Sequence, residues 1–246
     1  MSIDTTEPGP AEPVEGELVA GEPAPVVMAR LVAAAQDTVG APRVRIGVTG
    51  VEAFADVRTE IERRKASGES GDLGFVYRDA ETATEPLRSF PWARSIIVAA
   101  VAYLRDGDGS GTSDRSVARF ADGDRYADLR SVLSAMEQSL TSGGHRAESV
   151  LDDDRLVDRA VAVRSGIAWW GKSTMALAPG MGPWFLIGSV VTDVPLPATA
   201  PMERTCGSCT ACIPACPTGA IVAPGVLDAR RCLAAVFQGR GAIPRD

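Results

Sequence analysis

Apolar positions recur along this chain at two periods, and the mixture predicts a sheet with helices packed on it. Val27, Leu31, Ala34 and Ala35 in an alanine-rich setting predict a helix over residues 26–40, ended near Gly40. Val44, Ile46 and Val48 alternate as a strand, and Phe54, Val57 and Ile61 mark a helix over 51–66. Residues 68–84 are polar apart from Leu73, Phe75, Val76 and Tyr77, and read as a loop with an apolar anchor. The run 95–103 is apolar with β-branched members, which predicts a buried strand. Glycine, serine and aspartate over 107–116 predict an exposed loop. Leu129, Val132, Leu133, Met136 and Leu140 lie at helical spacing within 124–140, closed by Gly143 and Gly144. A strand over 146–151 follows, then a helix through Leu156, Ala160 and Val163 ending at Gly166, then a strand over 184–192. Val194-Pro-Leu-Pro-Ala reads as a linker. The expected fold class is α+β.

Composition refines this picture. The chain has 246 residues and is 45% hydrophobic, enough for one main domain with a proper core and a small appended module. Residues 1–25 are acidic and rich in proline and glycine, and predict a disordered tail. The body is expected over 26–197 and the module over 198–246. The net charge of -7 and pI near 4.9 argue against non-specific gripping of nucleic acid through phosphates. All five cysteines lie between 206 and 232, which leaves no disulfide framework for the body and predicts a reducing compartment. No charged leader with an apolar stretch opens the chain, and the most apolar run is far shorter than a bilayer span, so the expectation is a soluble cytoplasmic protein with no membrane association.

The chemistry concentrates in Cys206-Gly-Ser-Cys209-Thr-Ala-Cys212-Ile-Pro-Ala-Cys216-Pro217, whose gaps of two, two and three residues reproduce a bacterial ferredoxin run. Soft thiolates select iron-sulfur or zinc, and a zinc site is more usually built from two separated pairs. Pro217 is expected to turn the Cys216 sulfur away from the first three, as in two-cluster ferredoxins, where the fourth cysteine of such a run serves the other cluster. Two four-iron clusters would take eight thiolates, whereas Cys232 brings the count to five. A second cysteine run in a longer version of the protein, a single degenerate cluster, or ligands from a partner would each account for the shortage.

Two further stretches carry candidate chemistry. Asp152-Asp153-Asp154-Arg155 falls between a strand and a helix, where carboxylates serve as caps or, with like charges adjacent, as a general acid of raised pKa. Asp158 is expected to pair with Arg155 or Arg159 or to face solvent. Trp169-Trp170-Gly171-Lys172-Ser173 reads either as a core aromatic pair at a turn or as an apolar wall ending in a cation, suited to a large flat cofactor. His145, the single histidine, has no accompanying nucleophile motif, which disfavours hydrolase chemistry, and no Gly-x-Gly-x-x-Gly is present.

Together, residues 206–220, Val226-Leu-Asp-Ala-Arg-Arg-Cys232 and 166–172 resemble the epoxyqueuosine reductase family. The resemblance implies a nitroreductase-like cobalamin-binding domain followed by a ferredoxin-like module. By position, Cys206, Cys209 and Cys212 resemble ligands of one 4Fe-4S cluster, and Cys216 and Cys232 those of a second. Asp152 resembles the family's proton donor, and Arg78, Lys172 and Ser173 resemble cobalamin contacts. The implied reaction is reduction of epoxyqueuosine in tRNA by a monomer drawing on an external low-potential electron donor. An electron-transfer protein and a dehalogenase-like corrinoid reductase are the alternatives. The sequence departs from the family pattern at Asp153-Asp154-Arg155, Arg125-Tyr126-Ala127 and Ser173.

Overall fold

Eight consecutive residues, Ser95–Ala102, are buried, and the sheet is assembled around them. The computed structural model describes residues 22–71, 78–104, 118–121 and 123–238. The expected apolar anchor at Leu73, Phe75, Val76 and Tyr77, the loop at 107–116 and most of the expected tail lie outside these residues.

In chain order, the described elements are α1 (Ala24–Val39), β1 (Val44–Thr49), α2 (Ala55–Ser67), α3 (Ala80–Thr84), α4 (Pro86–Ser89) and β2 (Ser95–Ala102). After these come α5 (Arg125–Ser142), β3 (Ala147–Val150), α6 (Asp158–Arg164), β4 (Trp169–Trp170) and β5 (Ala176–Leu177). The chain continues through β6 (Phe185–Thr192), β7 (Ile221–Ala223), β8 (Val226–Leu227) and α7 (Leu233–Gln238). The main sheet has the order β1-β2-β6-β3, and every neighbouring pair is antiparallel. The fold class is α+β, as the pattern of apolar positions implied.

Alternation along β2 divides the core in two. Ile97, Ala99 and Val101 face α1 and α5, meeting Val27, Leu31, Leu129, Val132 and Met136. Ile96, Val98 and Ala100 face the opposite way, toward α6 with Val161 and Ala162, and toward Phe54 and Phe90. Both faces of this antiparallel sheet are therefore covered, which explains an apolar run without polar interruption.

The long α5 starts where Asp124 accepts a hydrogen bond from the Ala127 N–H at 3.0 Å. Its buried apolar residues are the set read from the sequence, joined by Arg125 in the first turn, and Gly144, at φ 82°, carries the chain out of it.

Three expectations are corrected. The helix expected from residue 51 begins at Ala55, because Phe54 turns into the core and its N–H is used by the Thr84 carbonyl at 2.8 Å. Within the expected loop 68–84, Asp79 caps α3 by accepting from the Thr82 N–H at 3.0 Å and the Thr82 hydroxyl at 2.7 Å. The expected linker is part of the core: Val194 and Leu196 are buried, and the Leu196 N–H donates to Ser95 Oγ at 2.8 Å. Thr199 continues along β1, donating its N–H to the Val48 carbonyl at 2.9 Å. Proline supplies no N–H, so the alternating valine and leucine keep this segment extended with one side inward. Among the described residues no helix is long and apolar enough to cross a membrane.

Truncating Ile97, fully buried at the centre of β2, removes packing on the face shared with α1 and α5. Ile97→Ala is expected to cost about 2–5 kcal/mol, read as a lower denaturant midpoint with an unchanged slope.

Candidate functional site: an acid-lined cleft joined to a cysteine loop

Where β3 ends, the chain turns sharply at Asp152, whose φ of 51° lies in the left-handed region. Aspartate tolerates that region better than most residues because its short polar side chain can bond locally. The rest of the turn is held by Arg155. Its guanidinium forks onto Asp153, with Nε donating to Oδ1 and Nη2 to Oδ2 at 2.9 and 2.8 Å, reaches Glu148 at 2.7 Å, and lies 4.7 Å from the Phe90 ring centroid. Hydrogen bonding from Arg155 holds the Asp153 carboxyl below the usual carboxylate range. Asp154 is exposed. The two aspartates expected to act as like-charge neighbours of Asp152 are thus a neutralised one and a solvated one.

The neighbour that matters is Asp158, at the first turn of α6. Asp152 and Asp158 line the same cleft of about 160 Å³, together with Tyr126 from α5, Arg159, Met175 and Phe185. Of the three expectations for Asp158, pairing with Arg155 and facing solvent are not met, since Arg155 is bound to Asp153 and the Asp158 Oδ1 is sealed off without a hydrogen-bond partner; Arg159 acts on it through its charge. Burial, and secondarily the Asp152 charge, push its carboxyl up to about 7. Burial raises the Tyr126 phenol too, with Asp152 and Asp158 adding to the effect. Sequence reading gave Tyr126 no role in the site. It falls there because Asp124 starts α5 two residues earlier and so presents the helix's first turn to the acid loop.

The other wall of the cleft is the β4–β5 hairpin, which contributes Met175 and Ala176. Gly171 is required at its turn, since a Cβ there would lie 2.9 Å from Leu177 Cδ1 and 3.0 Å from the Met175 carbonyl oxygen. Trp169 is half-buried beneath the Arg204 guanidinium, 5.2 Å from its ring centroid, whereas Trp170, in register with Ala176, is 46% exposed. Neither tryptophan of the pair is a core residue.

The same turn holds the cysteine loop. The Lys172 N–H donates to Cys206 Sγ at 3.5 Å, its ammonium to the Gly207 carbonyl at 2.7 Å, and its carbonyl accepts from the Gly225 N–H at 2.9 Å. Arg64 on α2 adds a bond to the Gly225 carbonyl at 3.0 Å. Tight turns follow one another through the loop, with Cys209 N–H to Cys206 O at 3.0 Å and Gly219 N–H to Cys216 O at 3.0 Å. The Ala220 N–H donates to Cys216 Sγ at 3.2 Å, and such backbone donors, Ile221 first, lower the Cys216 thiol. Cys232 follows the short turn Ala229–Arg231. All five cysteines are free thiols, four half-buried and Cys209 exposed. A lone zinc gathers thiolates within about 2.3 Å of one point, and among the described residues no three His, Cys, Asp or Glu side chains could hold a metal ion in that way. Small residues between the cysteines and N–H groups aimed at sulfur fit the thiolates of an iron-sulfur cluster, whose potential such bonds tune.

The structure therefore brings Asp152 to the cleft and Lys172 to the cysteine loop. Ser173 is half-buried in the hairpin turn, and Arg78 is exposed just before the α3 cap. Neither of these is among the residues lining the cleft.

A covered sheet with an acid-lined cleft is thus joined, through one hairpin, to a loop with the cysteine spacing of iron-sulfur-binding domains. Residues 205–246 match the family model described as a 4Fe-4S double cluster binding domain. The chain is 35% identical over 210 residues to the epoxyqueuosine reductase of Bacillus subtilis, covering 82% of this chain and 54% of that protein. A crystal structure of epoxyqueuosine reductase with an epoxyqueuosine-modified tRNA-Tyr stem loop superposes with a TM-score of 0.80 at 32% identity, over 91% of this chain and 60% of that one. A Bacillus subtilis structure whose aspartate catalytic loop is swung out of the active site superposes with a TM-score of 0.79 at 31% identity, over 91% of this chain and 60% of that one. The chain belongs to the epoxyqueuosine reductase family and spans about half the length of the curated relatives it matches.

Lys172→Met keeps the peptide N–H to Cys206 and removes the ammonium bond to Gly207. Because that bond is exposed, its loss is expected to speed amide exchange over residues 206–209 only several-fold, with the sheet amides unchanged.

Proposed function

We propose that this chain performs the chemistry of an epoxyqueuosine reductase, converting the epoxide of epoxyqueuosine in tRNA to the alkene of queuosine. The observation that carries this reading is the β4–β5 hairpin, which walls the acid cleft with Met175 and binds the Cys206 loop through Lys172. A source of electrons and a source of protons thus meet at one element. In the same reading residues 26–197 are the catalytic body and residues 198–246 the cluster module. The chain acts as a cytoplasmic monomer fed by an external low-potential donor.

Cys206, Cys209 and Cys212 would hold one 4Fe-4S cluster, and Cys216 and Cys232 would contribute to a second. The cleft is smaller than the roughly 300–1,000 Å³ pockets that enclose drug-sized ligands, so it admits the reacting end of a substrate and not a corrin. Its rim is better suited to a flat macrocycle, with Met175 38% and Trp170 46% exposed beside it. Cobalamin held there would supply the electron-transfer chemistry that the epoxide carbon requires. Support for an aspartate as donor comes from the Bacillus subtilis relative, described with an aspartate catalytic loop.

The overall reduction consumes two electrons and two protons, and the epoxide oxygen leaves as water. An alkoxide is a poor leaving group, so Asp152 protonates that oxygen as its bond to carbon breaks. Tyr126 and Arg159 offer donors that orient the polar ring substituents, while Met175 and Phe185 exclude water from the reacting carbon.

The test is anaerobic reconstitution of the chain with iron, sulfide and cobalamin, followed by nucleoside analysis of epoxyqueuosine-containing tRNA. Asp152→Asn is expected to lower turnover about 10²–10⁴-fold with iron and corrinoid content unchanged. Turnover that survives this substitution would remove Asp152 from the mechanism. Iron-sulfur absorption without corrinoid uptake would instead support a simple electron carrier.

A further inference from the structure

We infer that Asp158 is the proton store of the cleft, a carboxylic acid that remains protonated beside Asp152 and re-protonates it after each turnover. This inference rests on the reading of Asp152 as proton donor. Its geometric basis is independent of that reading: two carboxyl groups six residues apart line one cleft, and the deeper one has an oxygen sealed from solvent without a partner.

An anion at that oxygen would be a buried, unpaired charge, so the neutral acid is favoured. The surrounding elements reinforce this. From the preceding loop come Asp152 and Asp153, both of which oppose a second negative charge. The Arg155 guanidinium is already engaged by Asp153 and Glu148 and does not pair with Asp158. From α5 comes Tyr126, a phenol that stays neutral. From α6 itself comes Arg159, whose exposed guanidinium favours the anion but is outweighed by burial. The hairpin and β6 contribute only apolar walls, Met175, Ala176, Phe185, Leu186 and Ile187. The result is a carboxyl near 7, well above an ordinary aspartate.

Proton movement balances without any change of oxidation state. The O–H bond of Asp152 breaks as the O–H bond of the released substrate oxygen forms, leaving Asp152 a carboxylate. The second proton of the reduction reaches the same oxygen from water at the open mouth of the cleft as that oxygen leaves as water. The Asp158 O–H bond then breaks as that of Asp152 re-forms, and Asp158 regains a proton from the water at the mouth.

The sign of the pH dependence follows from linkage. The folded chain holds a proton on Asp158 that the unfolded chain releases near pH 4, so this contribution to stability is complete below about pH 4 and is lost as pH rises toward 7. Measured on the whole chain without added cofactors, the wild type is expected to lose more than about tenfold in its folding equilibrium constant across that window. Asp158→Asn should abolish this loss, and Asp152→Asn should move its upper end to lower pH by removing the neighbouring charge. A wild-type infrared band of a protonated carboxyl that persists to pH 6, and is missing from Asp158→Asn, supplies the same answer from the unmutated fold. An unchanged slope in Asp158→Asn, or no such band in the wild type, overturns the proposal. A slope that depends on Asp158 but ignores Asp152→Asn overturns the pairing. Turnover that survives Asp152→Asn while the Asp158 slope remains would sink the donor assignment and with it the re-protonation role, leaving Asp158 only as a protonated acid of the cleft.

Discussion

The contact between the Lys172 peptide and the Cys206 sulfur is the joint on which the arrangement depends. A hairpin of two-residue strands has little stability of its own, and here it is anchored at both ends of its turn. On one side Ala176 is buried against the sheet; on the other Lys172 uses its N–H, its carbonyl and its ammonium on three separate atoms of the cysteine module. The module is thereby fixed by backbone groups, which cannot rotate away as side chains do. Arg64 and Glu69, from α2 and the segment after it, brace the same module through the Gly225 carbonyl and the Ala229 N–H.

The acid loop shows how neighbouring identical residues are assigned different work by their surroundings. Three consecutive aspartates would repel one another in an isolated peptide, but the fork from Arg155 removes one from the account and solvent screens another. What remains is a pair formed across a turn, Asp152 at the surface and Asp158 behind it. Proximity in sequence misidentified the partner because the loop folds back on itself. Leu156, between the two in sequence, is buried in the core and anchors the loop there.

The central strand and the long helix packed on it were readable from side-chain pattern alone, since Ser95–Ala102 and Arg125–Ser142 bury every residue their spacing marks as apolar. The cysteine loop was readable because its spacing is dictated by what it binds. The missed features share a cause: each depends on a contact made from far along the chain. Thr84 reaches back to Phe54 and delays α2, and Ser95 captures Leu196 and turns a presumed linker into core. The burial of Asp158 needs walls from α5, the hairpin and β6, none of which its own neighbours announce. The α3 cap is the exception, because Asp79 three residues before Thr82 is a local signal.

The positive φ at Asp152 has an evolutionary corollary. A glutamate would carry the same acid and reach farther into the cleft, yet its longer side chain offers less local bonding to offset left-handed backbone geometry. Swapping one carboxylic acid for the other is normally among the mildest exchanges in proteins. At this turn the main chain, more than the chemistry, restricts which acid can evolve there.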